Sequence, residues 1–458
     1  MLLASIILYL AVTVLIGYWA ARRVKTSGDF MLAGRSLPLV LSSSALFATW
    51  FGSETVFGAS SEFLKGGLYS VIEDPFGAAL CLVLFGLFFA RKLYSMNLLT
   101  LGDFFEVRYS KKTELVASLF LAPPYVGYIA AQLVAMGLIL NVVAGIEVWQ
   151  GVIASALVVT FYTYVGGMWA ISITDFIQSI IIIAGLVVLA IILSNKAGGV
   201  SNVLQDVHAD TFRFLPKMEF KEIMLYISAW SVLGLGSIPS QDVYQRVMSS
   251  GSGNVAAKSC YISAALYLTI AMLPLFISIC VKHLYPEFSV GDTQLALPNM
   301  VLAHTNTVVQ VLFFGSLLSA IMSTTSSAML APAAIFSENL INPLMGHRFS
   351  DKKLLTITRW SVLGFSAVAT VMACLRSNIY ALVGESSILS LVSLFAPLVL
   401  GLYWKRANSA GAYISMFAGI GTWIIFEFYE TTWPSLLPAT FVSFAGMIGG
   451  SLLFERKK

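Results

Sequence analysis

Residues 44–61 read SALFATWFGSETVFGASS. The segment is long and apolar enough to cross a lipid bilayer, yet it contains Glu54, two glycines and six residues with hydroxyl groups. Gly52, Ser53, Glu54 and Gly58 weaken a helix in the middle of the span. A broken helix is tolerated inside a membrane only where the freed backbone groups line a cavity or are buried in protein. The segment therefore predicts a discontinuous transmembrane helix beside a binding site.

The composition of the whole chain supports a membrane protein. Of its 458 residues, 58% are hydrophobic and 11% are charged, whereas soluble domains carry about 25% charged residues. Apolar runs of roughly 20 residues, the length of a membrane-spanning helix, recur along the chain. The alternating segments of about ten residues that are typical of a β-barrel do not occur. We therefore predict an all-α polytopic protein of the cell membrane.

Thirteen stretches of the sequence are predicted to span the bilayer. They lie at about residues 3–21, 38–61, 73–94, 113–143, 147–165, 168–194, 222–245, 256–281, 307–338, 355–375, 379–402, 409–428 and 435–454. The first is expected to be a retained helix and not a signal peptide, because residues 1–9 carry no charge.

The distribution of basic residues agrees with this number of spans. If the N-terminus is extracytoplasmic and the spans alternate in direction, all but seven of the 27 lysine and arginine residues fall in cytoplasmic loops. The exceptions are Lys65, Lys196, Arg213, Lys217, Lys221, Lys282 and Arg376. Cytoplasmic loops are enriched in Lys and Arg, so the sequence predicts an extracytoplasmic N-terminus and a cytoplasmic C-terminus.

A second span, at residues 222–245, is also interrupted. Its LGLGSIPSQD run contains Gly234, Gly236, Ser237 and Pro239. Interrupted spans at corresponding positions of two halves indicate an inverted-repeat transporter, although Gly and Pro are also common in ordinary membrane helices. The predicted units are a leading helix and loop (1–37), a first five-helix repeat (38–194), an extracytoplasmic loop (195–221), a second five-helix repeat (222–402), and two trailing helices with a short tail (403–458).

Two polar clusters lie in other spans. In SLLSAIMSTTSSAML, four serines recur at helical spacing: Ser319, Ser323, Ser326 and Ser327. They favour a site for a small hard cation, bonds to the helix's own carbonyls or hydrogen bonds between helices. In GGMWAISITDFIQ, residues Ser172, Asp175 and Gln178 share one helix face. They line a site, or Asp175 is an acid at the membrane interface.

Four motifs carry a resemblance to a known family: FMLAGRSLP (30–38), GGMWAISITDFIQ (166–178), IPSQDVYQRVMSS (238–250) and SAIMSTTSSAMLAPAAIFSENL (319–340). On these residues the chain resembles the sodium/solute symporters, which include transporters of proline, pantothenate, choline, sialic acid and sugars. The resemblance implies a leucine-transporter-type inverted repeat. It also implies a Na⁺ site formed by the carbonyls of Ala48, Phe51 and Ala320 and the hydroxyls of Ser323 and Thr324.

The resemblance also gives expectations for coupling and substrate. Relatives with a second sodium site have serine at position 320, so we expect one tightly coupled Na⁺, with Asp175 tuning or releasing it. Trp50 and Tyr128 match aromatic cage positions of the choline-transporting branch, but Ser240 and Ala78 replace two other cage aromatics. Glu54 is expected to pair with a substrate ammonium, and the residues expected to bind substrate are therefore Trp50, Glu54, Tyr128 and Ser240. The remaining expected gating or structural residues are Gln178, Gln241 and Arg246.

The leading hypothesis is therefore Na⁺-driven import of a small polar organic solute, such as an amino acid, an amine or quaternary ammonium compound, or a carboxylate. The alternatives are coupling to H⁺ through Glu54 or Asp175, and a membrane sensor that binds solute without moving it. An enzyme is not expected, because HExxH and GxSxG motifs are missing from the sequence. The expected partners are Na⁺, the solute and lipid, with no nucleic acid, and the protein is expected to be a monomer or a weak homo-oligomer.

Overall fold

The computed structural model describes residues 2–21, 26–205, 207–346, 349–429 and 433–454. Within these ranges the chain is helical, and its only β-type pairing is a single bridge between Leu37 and Ser250. The α-helices are α1 (Leu2–Ala21), α2 (Ser27–Leu32), α3 (Leu39–Trp50), α4 (Ser60–Gly66), α5 (Ala78–Leu84), α6 (Ala90–Ser95), α7 (Leu101–Arg108), α8 (Lys111–Leu121), α9 (Pro124–Ala144), α10 (Val148–Lys196), α11 (Val200–Gln205), α12 (Phe220–Gly236), α13 (Gln241–Met248), α14 (Gly253–Ile270), α15 (Met272–Leu284), α16 (Ala296–His304), α17 (Thr307–Ile335), α18 (Asn342–Leu344), α19 (Asp351–Leu375), α20 (Ile379–Ser390), α21 (Ala396–Tyr403), α22 (Ser409–Phe428) and α23 (Leu436–Leu453).

Shorter segments with other helical hydrogen-bonding patterns join these helices. The π-helical segments are Glu54–Ala59, Ile72–Gly77, Phe85–Phe89, Phe336–Ile341 and Leu391–Phe395. The 3₁₀ turns are Ala33–Arg35, Gly67–Val71, Ala209–Phe212, Pro286–Ser289 and Thr293–Leu295. Of the basic residues used to predict orientation, Arg22, Arg23, Lys25, Arg348 and the three at 456–458 lie outside the described residues.

Nine helical stretches in the described ranges are long and apolar enough to cross a membrane, and α12 with α13 forms a tenth if the bent pair is one span. The sequence predicted thirteen, and helix is present in each of the thirteen intervals. Part of the difference arises because α3 (Leu39–Trp50) and the stretch Val148–Phe161 are apolar helices too short to cross a membrane alone. The all-α polytopic class is confirmed, whereas the number thirteen stays a prediction.

Both predicted interruptions are present. Helix α3 ends at Trp50 and helical structure resumes at Glu54, while α12 ends at Gly236 and α13 begins at Gln241 at an angle of 49°. A further break, which the sequence analysis did not predict, divides the 113–143 interval into α8 and α9 at Pro123. Proline has no amide hydrogen to continue the helical ladder.

The neighbouring spans 147–165 and 168–194 form one long helix, α10, that turns sharply at Gly167. This glycine has φ +65° and ψ −178°, a backbone conformation that residues with a Cβ rarely adopt. A Cβ at this position would also lie 2.6 Å from Cδ2 of Phe30. Gly167 therefore brings the GGMWA motif directly against the FMLAGRSLP motif.

The helices are arranged around α17, which is buried from Phe313 to Ile335 and packs against α9, α10 and α19. Many large apolar side chains instead face outward, including Leu157, Phe161, Ile191, Val371 and Phe441. Exposed apolar surface of this extent suits hydrocarbon as a solvent and would be unfavourable in water. The polar residues of the broken helices thus lie inside the bundle, next to α17.

Candidate functional site

The break after Trp50 releases three backbone carbonyls from the helical ladder. In a continuous helix the amides of residues 52 and 53 would bond to the carbonyls of Ala48 and Thr49. Instead, the amide of Gly52 donates to Trp50 O at 3.0 Å and that of Ser53 donates to Gln132 Oε1 at 3.2 Å. The carbonyls of Ala48 and Thr49 accept instead from Thr324 Oγ1 and Tyr128 OH, and Trp50 O accepts from Tyr267 OH in addition to the Gly52 amide.

One freed carbonyl contributes to a cluster of three oxygen atoms. Thr324 Oγ1 donates to Ala48 O at 2.9 Å and approaches Ala320 O at 3.1 Å. Residue 48 lies on α3 and residues 320 and 324 lie on α17, so the cluster joins a broken helix to the central one. Carbonyl and hydroxyl oxygens are the ligands that small hard cations prefer, and this donor set fits Na⁺.

The other two predicted ion ligands lie differently. The hydroxyl of Ser323 is buried and donates to Asp175 Oδ1. This side chain of α17 therefore points toward α10. The amide of Phe51 donates to Phe47 O at 3.0 Å, and the carbonyl of Phe51 is not among the described contacts of the oxygen cluster. The structure thus brings Ala48, Ala320 and Thr324 together and connects Ser323 to Asp175.

Asp175 belongs to a buried charged network that includes Arg246. Asp175 Oδ2 lies 3.7 Å from Arg246 Nη2, and both side chains are almost fully buried. Arg246 Nε also donates to Ala45 O at 2.9 Å, and its Nη2 donates to the hydroxyl of Ser327. This network connects the half-helices α3 and α13 to α10 and α17. Removing one member of a buried ion pair strongly destabilises the folded protein.

Several polar atoms around this network have no hydrogen-bond partner within the described part of the chain. They are both amide atoms of Gln178, Nε2 of Gln241, Nε2 of Gln245, Nη1 of Arg246 and Oγ of Ser326. Gln241 is otherwise anchored, because its Oε1 accepts from Leu101 N at 2.7 Å. Buried polar groups are nearly always satisfied in native proteins, so this region is suited to water or ions. The predicted gating residues Asp175, Gln178 and Arg246 therefore lie in a polar zone.

A cavity with an empty volume of about 530 Å³ lies between the two helix breaks. It is lined by all four residues predicted to bind substrate, namely Trp50, Glu54, Tyr128 and Ser240. The indole Nε1 of Trp50 is buried and has no hydrogen-bond partner among the described residues.

Two carboxyl groups line this cavity, and each lies next to a tyrosine of α9. Asp242 Oδ1 accepts from Tyr125 OH at 2.7 Å, whereas Glu54 Oε1 lies 3.3 Å from Tyr128 OH, whose single proton has a shorter acceptor in Thr49 O at 2.8 Å. Glu54 Oε2 also accepts from Gln132 Nε2 at 2.9 Å. Each acid lies just after a helix break, in the first turn of the second half-helix. The cavity is therefore acidic at two points.

Comparison with known proteins gives the family. The model of the "Sodium:solute symporter family" matches residues 30–419, most of the chain. The chain belongs to the sodium:solute symporter family. The high affinity choline transporter 1 of human is 29% identical over 442 residues, which cover 92% of this chain and 75% of that protein. The osmoregulated proline transporter OpuE of Bacillus subtilis is 27% identical over 453 residues, which cover 93% and 88%.

A solved structure supports the same fold for this symporter. A substrate-bound, outward-open Na⁺-coupled sialic acid symporter superposes with a TM-score of 0.88 over 99% of this chain and 97% of that one, at 19% sequence identity. At this identity the likeness establishes the fold. The predicted family is confirmed, and so is the prediction of a multi-pass membrane transporter of the symport class.

The sequence analysis missed several residues of the symporter's cavity and its surroundings. Asp242 is an acid within the interrupted LGLGSIPSQD run, so the sequence contained a signal for it. Gln132 gave a similar signal, because it is a polar residue within the apolar run of α9. Asp74 was assigned to the end of a span, but it is 1% exposed and accepts hydrogen bonds from Tyr267 OH and, at 3.1 Å, from Thr55 Oγ1. An acid next to a predicted membrane boundary gives no sign in the sequence that it is buried.

Proposed function

We propose that this symporter imports a small polar organic solute together with Na⁺. The observation that carries the proposal is the meeting of Ala48 O, Ala320 O and Thr324 Oγ1 at the break of α3, beside the cavity. Na⁺ would bind there, with the Phe51 carbonyl and the Ser323 hydroxyl completing its ligands. A bound ion would fix the broken helix in the form that exposes Trp50 and Glu54 to solute, which would couple the two binding events.

The proposed transport cycle uses alternating access around the two broken helices. Trp50 and Tyr128 would form walls of the solute site, and the Asp175–Arg246 network would regulate ion release on the proposed cytoplasmic side. One Na⁺ ion that enters the cell gains about 2.3 kcal/mol from a potential of 100 mV and about 1.4 kcal/mol from a tenfold concentration gradient. This free energy can concentrate a neutral solute roughly 500-fold.

The proposed orientation has the N-terminus outside the cell and the C-terminus in the cytoplasm of a plasma or inner membrane. Choline and proline are the solutes named for the relatives and are the first candidates for this chain. Ser240 lies at one of the cage positions of the choline-transporting branch, and its hydroxyl donates to Ser237 O, so that wall is polar and not aromatic. The proposal therefore includes organic cations other than choline.

The test is uptake of labelled candidate solutes into proteoliposomes with an inward Na⁺ gradient, with K⁺ replacing Na⁺ as the comparison. We expect uptake only with Na⁺, and Ser323→Ala should raise the Na⁺ concentration needed for half-maximal uptake. Uptake that is unchanged in K⁺ but driven by a pH gradient would show that the coupling ion is H⁺ and not Na⁺, with Glu54 or Asp175 as the proton carrier. Solute binding without uptake under either gradient would indicate a sensor.

A further inference from the structure

We propose that the cavity between the helix breaks binds an organic dication of the aliphatic diamine class, with one ammonium group at Glu54 and the other at Asp242. The inference rests on the proposed function, in that it takes this cavity as the solute site. It goes further by fixing the charge of the solute and the kind of hydrogen bond that recognises it.

The first argument is the charge of the lining. Glu54 and Asp242 both line the cavity, and the described lining contains no Lys, Arg or His. A third buried acid, Asp74, lies close by through its hydrogen bond with Thr55. Arg246, four residues after Asp242 on α13, is engaged by the carboxylate of Asp175 and by the carbonyl of Ala45. A buried carboxyl group is stabilised either by a compensating charge or by protonation; a positively charged solute supplies that charge, whereas a solute with its own carboxylate does not.

The second argument is the separation of the two acids. Tyr128 and Tyr125, which lie next to Glu54 and Asp242, are three residues apart on α9. Three residues of helix correspond to a rise of about 4.5 Å, and both tyrosines and both acids line the same cavity. A small molecule with an amino group at each end can therefore contact both acids at once.

The third argument is the remaining capacity for hydrogen bonds. Glu54 Oε1 has a long contact of 3.3 Å with Tyr128 OH, and Asp242 Oδ2 accepts no hydrogen bond from the described residues. Ammonium groups carry N–H donors that can fill these positions, whereas a quaternary ammonium group has none. Beside the aromatic residues Trp50, Tyr125 and Tyr128, the lining contains five hydroxyl side chains that can also accept from ammonium N–H groups: Ser237, Ser240, Ser386, Ser387 and Ser390.

The experiment measures equilibrium binding of a matched ligand series to the purified full-length protein in Na⁺, by tryptophan fluorescence or thermal shift. The series is 1,4-diaminobutane, n-butylamine, choline and proline, so that the first two differ only in the second amino group. We expect 1,4-diaminobutane to bind at least tenfold tighter than n-butylamine, and choline and proline to bind more weakly still. Glu54→Gln and Asp242→Asn should each reduce the affinity for the diamine to that for the monoamine.

Glu385→Gln is the matched control, because Glu385 pairs with Arg376 at an exposed position outside the cavity, and it should leave the ranking unchanged. The ligand series on the unmodified protein is decisive even if an acid variant fails to fold. Equal affinity for the diamine and the monoamine, or tighter binding of choline or proline, would overturn the inference. Failure of the proposed Na⁺ coupling is distinguished separately, because it is measured by uptake under ion gradients and not by the binding ranking.

Discussion

Replacing Thr324 by valine tests the proposed ion site most directly. Valine keeps the branched shape of threonine but has no hydroxyl group, so α17 should stay packed while the oxygen cluster loses its central member. In the protein that hydroxyl is buried and lies 2.9 Å from Ala48 O and 3.1 Å from Ala320 O. The substitution therefore removes the side-chain donor of a carbonyl that the helix break has already released.

The size of the effect follows from these contacts. A buried carbonyl left without a donor costs about 1–3 kcal/mol of folding free energy. A polar contact to a charged group contributes about 1.5–3 kcal/mol, so the loss of one Na⁺ ligand should weaken Na⁺ binding roughly ten- to a hundredfold. Both effects should appear together in Thr324→Val.

The assay is the Na⁺ dependence of thermal unfolding of the purified protein, titrated with NaCl at constant ionic strength. Thr325→Val is the matched control, since the neighbouring hydroxyl is equally buried but bonds to Ile321 O within its own helix at 2.5 Å. We expect the Na⁺ midpoint to shift at least tenfold in Thr324→Val and to stay near the wild-type value in Thr325→Val. An unchanged midpoint in Thr324→Val, or equal shifts in both variants, would refute the ion site.

Three further substitutions test other parts of the site. Trp50→Ala should weaken solute binding by more than it changes the Na⁺ midpoint, because the indole lines the cavity and the ion site uses backbone oxygens; binding of the transported solute measures this. Arg246→Met should destabilise the protein by about 3–5 kcal/mol by leaving Asp175 buried without its ion pair, as followed by thermal unfolding. Gly52→Ala should lower both stability and solute affinity, because its Cβ would lie 3.0 Å from Gln132 Oε1 and from Glu54 Oε2.

Each of these predictions has a control variant or an outcome that would contradict it. Solute affinity that survives Trp50→Ala would eliminate the aromatic wall. Asp175→Asn combined with Arg246→Met should recover part of the lost stability, and no recovery would argue against the ion pair as the cause. Gly364→Ala serves as the comparison for Gly52→Ala, since a Cβ at Gly364 meets no atom within 4 Å. Equal effects of the two alanine substitutions would contradict the close approach at Gly52.

The predictable part of the site came from residues whose chemistry conflicts with their surroundings. Glu54, Gly52 and Pro239 stand out in apolar spans because carboxylates, flexible backbone and missing amides are unfavourable there. The row of hydroxyls on α17 was ambiguous in the sequence, and the structure shows both behaviours in one helix. Thr324 reaches across to Ala48, whereas Thr325 bonds within α17.

The sequence by itself determined that this is an all-α membrane protein of the sodium:solute symporter family with two discontinuous helices, because apolar length and breaks in it are local properties. Only the tertiary structure decided that Asp242 and Tyr125 line the same cavity as Glu54, that Ser323 is bonded to Asp175, and that Arg246 is buried among α3, α10, α13 and α17. These contacts join residues that lie far apart in the chain, such as Ser323 and Asp175. The helix faces that meet depend on how each discontinuous helix is rotated and tilted. The hydropathy of the sequence does not encode that rotation.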